Sequence, residues 1–198
     1  MLGLRNIKIK FIDLYLKLYC RYKNVQVDTK HMSFYGLAKL TFNKDSTISI
    51  GKNFICRSGI NECIDNTICS KINTSKGSCL FIGDNFGMSN STIYCTKSIT
   101  IGNHVKIGVG CMIFDSNFHS TNWIQRKDYR TDVPNATMKS IEIQDHVFIG
   151  ARSIITKGVT IGARSIIAAG SVVIKDVPAD EIWGGNPAKF IKKINENN

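Results

Sequence analysis

The stretch FDSNFHSTNWIQRKDYRTDVPNATMKSIE, Phe114 to Glu142, is polar, charged and rich in aromatic residues. Its one histidine, His119, accepts a proton near neutral pH and is the candidate general base for an attacking hydroxyl. Asp115, four residues earlier, carries the charge needed to orient an imidazole or to bind an acceptor. Asn117, Trp123 and Arg126 offer an amide, an aromatic face and a guanidinium to such an acceptor. Spacing alone leaves two plainer readings open, a solvated loop histidine and an aspartate that shapes an Asx-turn. No cysteine adjoins His119, and Cys111 falls on the apolar pattern described below, so direct transfer is expected in preference to a covalent enzyme intermediate. His104 and His146 stand singly in IGNHV and IQDHV, without a second histidine at metal-site spacing, so no metal is expected.

Such a stretch needs a rigid support, and the flanking sequence supplies it. Every sixth residue from Ile143 is aliphatic: Ile143, Ile149, Ile155, Ile161, Ile167 and Val173. A helical face needs spacings of three and four, and a half-buried strand alternates every two residues, so a period of six requires a corner after each short extended segment. Val147, Ser153, Val159, Ser165 and Ser171 accompany the column as apolar or small residues, and Gly150 and Gly162 follow column residues, as tight corners demand. The register recurs upstream in Ile101, Ile107 and Ile113 with Val105 and Cys111, and in Ile82 and Met88 with Phe86 and Thr92. It slips by one between Met88 and Ile101, as a bulge at a corner would make it do. In STISIGKNFICRSG only fragments survive, and irregular coils are expected there. Three hexads closing a triangle make a coil of about 18 residues, and stacked coils make a parallel β-solenoid. Its handedness does not follow from the period. Ile113 and Ile143 lie five hexads apart, so the column resumes in register beyond the polar stretch, as it does when a loop is extruded from a corner.

The 198 residues are 43% hydrophobic, enough for one sizeable core and unlike a disordered or fibrous composition. The formal charge of +11 asks for an anionic partner: nucleic acid, a lipid headgroup or a phosphorylated cofactor. Seven cysteines (Cys20, Cys56, Cys63, Cys69, Cys79, Cys95 and Cys111), with no CxxC pair and mostly inside apolar runs, read as small buried hydrophobes of a reducing compartment. Charged residues interrupt every N-terminal apolar run well before bilayer-spanning length, and no small-residue cleavage site follows; a cytoplasmic protein is expected.

The [Ile/Val]-Gly-x-x-[small]-x hexads, the excursion around FDSNFHS and the ending IIAAGSVVIKDVPADEIWGGNPAKFIKKI resemble the hexapeptide-repeat acyltransferases over roughly residues 80–194. Within that superfamily the chain is similar to bacterial O-acetyltransferases of capsular, exopolysaccharide or O-antigen sugars. The resemblance implies a left-handed parallel β-helix, a homotrimer, acetyl-coenzyme A as donor and active sites between subunits. It implies that His119 is the base in direct acetyl transfer to a sugar hydroxyl of a surface-polysaccharide precursor. Many relatives have aspartate where Asn117 stands, so an ionised partner is missing there. Ala151 in IGAR, Ala169 in IIAAGS, Lys175 in VIKD, and Lys189 and Lys192 in NPAKFIKK match the donor-binding positions. Relatives often have arginine at the last two, so lysine keeps the charge and loses the bidentate phosphate fork. No nucleic-acid partner is expected. The alternatives are N-acetylation of an amino-sugar nucleotide and a non-enzymatic β-solenoid acting as a structural or binding module, which leaves the polar excursion and the lysine ending without a role.

The expected fold is therefore all-β, with an N-terminal helical segment at 1–35, the β-helix at 36–178 with its loop at 114–142, and a C-terminal cap and basic tail at 179–198. Asp176-Val177-Pro178 is expected to end the ladder. In LRNIKIKFIDLYLKLYCRYK, residues Leu4, Ile7, Phe11, Leu14 and Leu18 share one face of an amphipathic helix, with Lys8, Lys10, Lys17 and Arg21 largely elsewhere. That face is expected to pack on the first coil and cap it. Contact of residues 4–23 with an anionic membrane face, where a lipid-linked acceptor would be assembled, is the second role open to it.

Overall fold

The computed structural model describes residues 2–59 and 69–194; Cys63 lies outside the described residues. Short strands stack in three parallel sheets of eight, six and five strands, the first sheet ending in one antiparallel strand. Successive strands visit successive sheets. Phe148–Ile149 belongs to the eight-stranded sheet, Ile154–Ile155 to the six-stranded one and Thr160–Ile161 to the five-stranded one, and Ile166–Ile167 returns to the first. Phe148 stands opposite Ile166, Ile154 opposite Val172 and Glu142 opposite Thr160, so one circuit takes 18 residues, the three hexads the column requires.

Every column residue from Ile82 to Val173 is buried, in one continuous core that runs from Leu16 to Val177. Each buried isoleucine contributes roughly 1.5–3 kcal/mol, so the period of six is also the distribution of stabilisation along the chain. Ser153, Ser165 and Ser171 are fully buried too, and their hydroxyls donate to the carbonyls of Ala168, Pro178 and Ala168. Small size lets them fit the corner, and these bonds satisfy all three hydroxyls.

The glycines after column residues have a more specific reason than backbone freedom. A Cβ at Gly150 would lie 2.5 Å from the Ala169 nitrogen, and one at Gly162 would lie 2.3 Å from the Ala179 nitrogen. Coil-on-coil approach excludes any side chain there. The left-handed positions of these turns are held instead by His104, His146, Arg152 and Arg164, with φ of 58°, 62°, 59° and 62°.

Upstream circuits lengthen. Ile82 pairs with Ile101 and Ile93 with Ile113, circuits of 19 and 20 residues, and buried Asn90 turns the chain there with φ 38°. The one-residue slip in the sequence is thus extra chain within the coil. Met112 stands opposite Ile154 and Ile99 opposite Ile141, each 42 residues on, so the ladder closes across the extruded loop as if it were absent.

The solenoid starts earlier and ends later than the sequence suggests. Met32–Tyr35 is already a strand, paired with Phe54–Arg57. Asp176-Val177-Pro178 does not end the ladder: Val177 is buried and bridges Ile161, and Glu181–Gly184 adds a further parallel strand on Ile166–Ile167. Asp176 helps by accepting the Thr160 N–H at 2.7 Å. The end comes one strand later, where Lys189–Lys193 turns back antiparallel and presents a lysine-rich edge, which discourages further pairing.

At the other end, helix α1 (Leu2–Tyr22) caps the first coil with an unexpected face. It docks through Ile12, Leu16, Tyr19 and Cys20, while Asp13 accepts the Phe34 N–H at 2.8 Å and the Tyr19 hydroxyl accepts the Phe42 N–H at 3.2 Å. Ile7, Phe11, Leu14 and Leu18 are 52%, 69%, 54% and 53% exposed. Two apolar stripes share this helix, and the stripe with two polar anchors, Asp13 and Tyr19, takes the coil. The side chains of Leu4 and Lys8 are outside those described.

Candidate active site

The loop leaves the six-stranded sheet at Phe114 and rejoins the five-stranded sheet at Ile141. Its base is closed by Asn117 N–H donating to Thr137 O and Lys139 N–H donating to Asp115 O, both at 3.0 Å. The Asp115 carboxylate is fully buried and accepts the Thr96, Lys97 and Ser98 N–H groups at 2.7, 2.7 and 2.8 Å, along with the Thr96 hydroxyl. Four donors satisfy a carboxylate, so this one anchors the loop to the preceding coil.

Phe118 follows with φ 61°, a conformation that costs a bulky residue on the order of 1–2 kcal/mol. Its ring lies edge-on to Tyr94 at 5.0 Å and beside Phe114 at 5.8 Å, and its N–H donates to Ser116 Oγ at 2.9 Å. These contacts hold the reversal, and the His119 side chain beyond it is 66% exposed.

The carboxylate that meets His119 is Asp132. It ends the one-turn helix α2 (Tyr129–Asp132), which starts at Asp128, where the side chain accepts the Arg130 N–H. One Asp132 oxygen accepts the Ser120 N–H at 2.7 Å, and the other lies 2.6 Å from His119 Nδ1. A carboxylate acceptor makes Nδ1 the donor and leaves Nε2 as acceptor, the tautomer that a proton-abstracting imidazole needs. The His119 hydrogen bond, then that of the Ser120 N–H, holds the Asp132 carboxyl below its ordinary value and keeps it ionised at neutral pH. Sequence spacing missed this partner because it lies across the loop. The available signal was an acid just before Val133-Pro134, where α2 tightens into the turn Val133–Asn135.

The acceptor candidates divide. Arg126 donates to the Ser120 and Thr121 carbonyls at 2.7 and 3.0 Å, so its guanidinium braces the chain around His119. Asn117 is half-buried at the loop base. Trp123 is 61% exposed, with Lys127 Nζ 4.5 Å from its ring centroid. Burial pushes the Cys20 and Cys95 thiols up to about 12 and raises that of Cys111, which keeps them protonated and unreactive.

Three corners join the three sheets, and the candidate residues are spread over them. The loop occupies the corner between the six- and five-stranded sheets, and exposed Lys175 lies two coils on at the same corner. Ala151 and Ala169 lie in successive turns between the eight- and six-stranded sheets, joined by Gly170 N–H donating to Ala151 O at 2.8 Å. On that edge exposed Gly170 has open space where a Cβ would stand, whereas a Cβ at Gly108 would lie 2.6 Å from the Ala151 nitrogen, so coil packing closes the backbone there. Lys189 and Lys192 are exposed on the terminal hairpin. His104 and His146 stack on the third corner, ring centroids 4.7 Å apart at 6°, and among the described residues no group of three or more His, Cys, Asp or Glu is arranged for a metal. One chain therefore gathers His119 with Asp132, and keeps both away from the alanine edge.

The chain is thus a parallel solenoid of hexads, three to a circuit, with a histidine loop extruded from one corner. The family model Bacterial transferase hexapeptide (six repeats) matches residues 140–175. A hexapeptide-repeat-containing acetyltransferase from Vibrio cholerae is 35% identical in a solved structure, with a TM-score of 0.55 over 64% of this chain and 72% of that one. A second structure of the Vibrio cholerae protein is complexed with acetyl-coenzyme A. The chain belongs to this hexapeptide-repeat transferase family. Protein CapG of Staphylococcus aureus is 50% identical over 96 residues, 48% of this chain and 53% of its own. A 2,3,4,5-tetrahydropyridine-2,6-dicarboxylate N-acetyltransferase of Clostridium perfringens is 54% identical over 54 residues, 27% of this chain and 23% of its own. Galactoside O-acetyltransferase of Escherichia coli is 36% identical over 125 residues, 62% of this chain and 58% of its own. The chain thus spans between 23% and 58% of the length of these three relatives.

Proposed function

We propose that this protein transfers an acetyl group from acetyl-coenzyme A to a sugar hydroxyl of a bacterial surface-polysaccharide precursor. It does so in the cytoplasm, as a homotrimer of left-handed coils with sites shared between subunits. The observation that carries the reading is the His119 Nδ1 to Asp132 contact of 2.6 Å on an exposed loop. His119 Nε2 takes the proton of the acceptor hydroxyl as that oxygen bonds to the thioester carbonyl carbon; when the carbon–sulfur bond breaks, the imidazolium returns the proton to the departing thiolate. Ionised Asp132 offsets the imidazolium charge and fixes the ring. Trp123 offers a flat apolar face to a sugar ring.

The alanine edge suits a long donor, because Ala151, Ala169 and Gly170 let it lie against backbone. Lys175, Lys189 and Lys192 supply charge opposite to its phosphates. Within one chain the loop and this edge lie on different corners, which supports a site shared between two chains. N-acetylation of an amino-sugar nucleotide is the second reading; the match to the Clostridium perfringens N-acetyltransferase supports transfer to nitrogen and says nothing of the sugar.

Coenzyme A release against a panel of hydroxyl-sugar and amino-sugar acceptors tests the proposal. Release with hydroxyl sugars supports it, release with amino sugars alone moves the assignment to N-acetylation, and no release with any acceptor contradicts both. At acetyl-coenzyme A concentrations well below KM, mixed trimers of His119→Ala chains and Lys189→Ala/Lys192→Ala chains should recover part of the activity that each lacks alone. A fully active monomer contradicts the shared site.

A further inference from the structure

Helix α1 has apolar residues on two opposite faces, and the coil covers one of them. At about 100° per residue, Ile7, Phe11, Leu14 and Leu18 fall in one band opposite Leu16 and Cys20. Tyr15 and Tyr22, 60% and 80% exposed, widen that band. Between α1 and the first coil lies a cleft of about 350 Å³, lined mostly by apolar residues, Tyr15, Leu16, Tyr19, Leu37 and Leu40 among them, with Lys39 as its one charged residue. A contiguous apolar surface of this kind marks an interaction site.

Charge selects the occupant. The first 24 residues hold six basic residues (Arg5, Lys8, Lys10, Lys17, Arg21 and Lys23) and one acid, Asp13. Asp13 is already engaged by the Phe34 N–H and by Lys17 at 2.7 Å. Lys10 and Arg21 are exposed, and helical spacing puts them with Lys17 along one border of the band. A second copy docked symmetrically on this face would bring like charges together. An anionic lipid surface meets both features at once, taking the apolar side chains below its headgroups and pairing the basic border with phosphates. Among the described residues no helix is long and apolar enough to cross a membrane, so the helix would lie on the surface.

We infer that α1 docks this protein on an anionic phospholipid bilayer, lying in the interface with Ile7, Phe11, Leu14 and Leu18 inserted. The inference is independent of the chemistry proposed for His119. The test is flotation of the full chain with phosphatidylcholine vesicles, with and without phosphatidylglycerol, at low and high salt. Binding should require phosphatidylglycerol and weaken with salt. Phe11→Glu/Leu14→Glu alters exposed positions and should leave the melting temperature unchanged while weakening binding at least about tenfold. Lys10→Gln/Arg21→Gln should weaken it by about fivefold for each charge removed. No binding to anionic vesicles overturns the inference, as does binding that survives Phe11→Glu/Leu14→Glu, because that would be non-specific attraction to the basic surface. If the wild type ignores vesicles and Phe11→Glu/Leu14→Glu lowers the oligomer mass in sedimentation, the face is a contact between chains and the membrane reading fails.

Discussion

In the coils from Ile141 to Val177 the decisive side chains are apolar, buried and repeated; in the loop from Asp115 to Ser140 they are polar, and each occurs once. Ile155 in the coil is fully buried between Ile113 and Val173. His119 in the loop is held by a single carboxylate and is largely open to solvent. The coil gains its stability from contacts that any neighbouring coil could supply, so its sequence is free to repeat. The loop depends on particular pairs, Asp115 with Thr96, Lys97 and Ser98, Asp132 with His119 and Ser120, and Arg126 with two carbonyls. Loss of a coil residue should therefore cost stability without touching chemistry, and loss of a loop-tip residue should do the reverse.

The largest stability effect belongs to the column. Ile155→Ala should lower the unfolding free energy by about 2–5 kcal/mol in denaturant melts while turnover per folded molecule stays constant. Asp115 tests where the division runs, since it lies in the loop segment and acts on the coil. Asp115→Asn replaces an acceptor with a donor opposite backbone N–H groups, and should cost about 1–3 kcal/mol of stability. Unchanged stability with lost turnover would move Asp115 from anchor to chemistry.

The remaining effects are smaller. Lys189→Ala/Lys192→Ala should raise the KM for acetyl-coenzyme A roughly threefold to tenfold and change it much less for a donor without nucleotide phosphates. Equal changes with both donors would show that the lysines act through the terminal hairpin. The pH dependence separates the two regions again. The Asp132 carboxyl is held below its ordinary value by His119 and Ser120, so its contribution is complete above the unfolded value of about 3.9 and is lost as pH falls through the lower folded value. The Ser120 amide resonance should therefore shift below about pH 4, while the Ile154 amide, bonded to the Ser171 carbonyl within the coil, stays put. Parallel shifts of both would tie the loop to global unfolding.

The same division explains what the sequence made legible. The column from Ile143 to Val173 was readable because burial recurs every six residues, and the loop was readable as a five-hexad gap between Ile113 and Ile143. Asp132 was not, because it reaches His119 through the path of the loop and no period connects them. The docking face of α1 was misread because two apolar stripes satisfy the same helical spacing, and Asp13 and Tyr19, which decide between them, bond to backbone of the first coils. The strand Glu181–Gly184 was hidden by Pro178, whose corner position lets the ladder pass it.

A double-mutant cycle on turnover with His119→Ala, Asp132→Ala and the pair, each variant checked for an unchanged melting temperature, tests the claim that the loop tip carries the chemistry. The account predicts that His119→Ala lowers kcat at least about 100-fold, that Asp132→Ala lowers it less, and that the double variant is no slower than His119→Ala alone. Near-normal turnover in His119→Ala, or losses that multiply in the double variant, would contradict it.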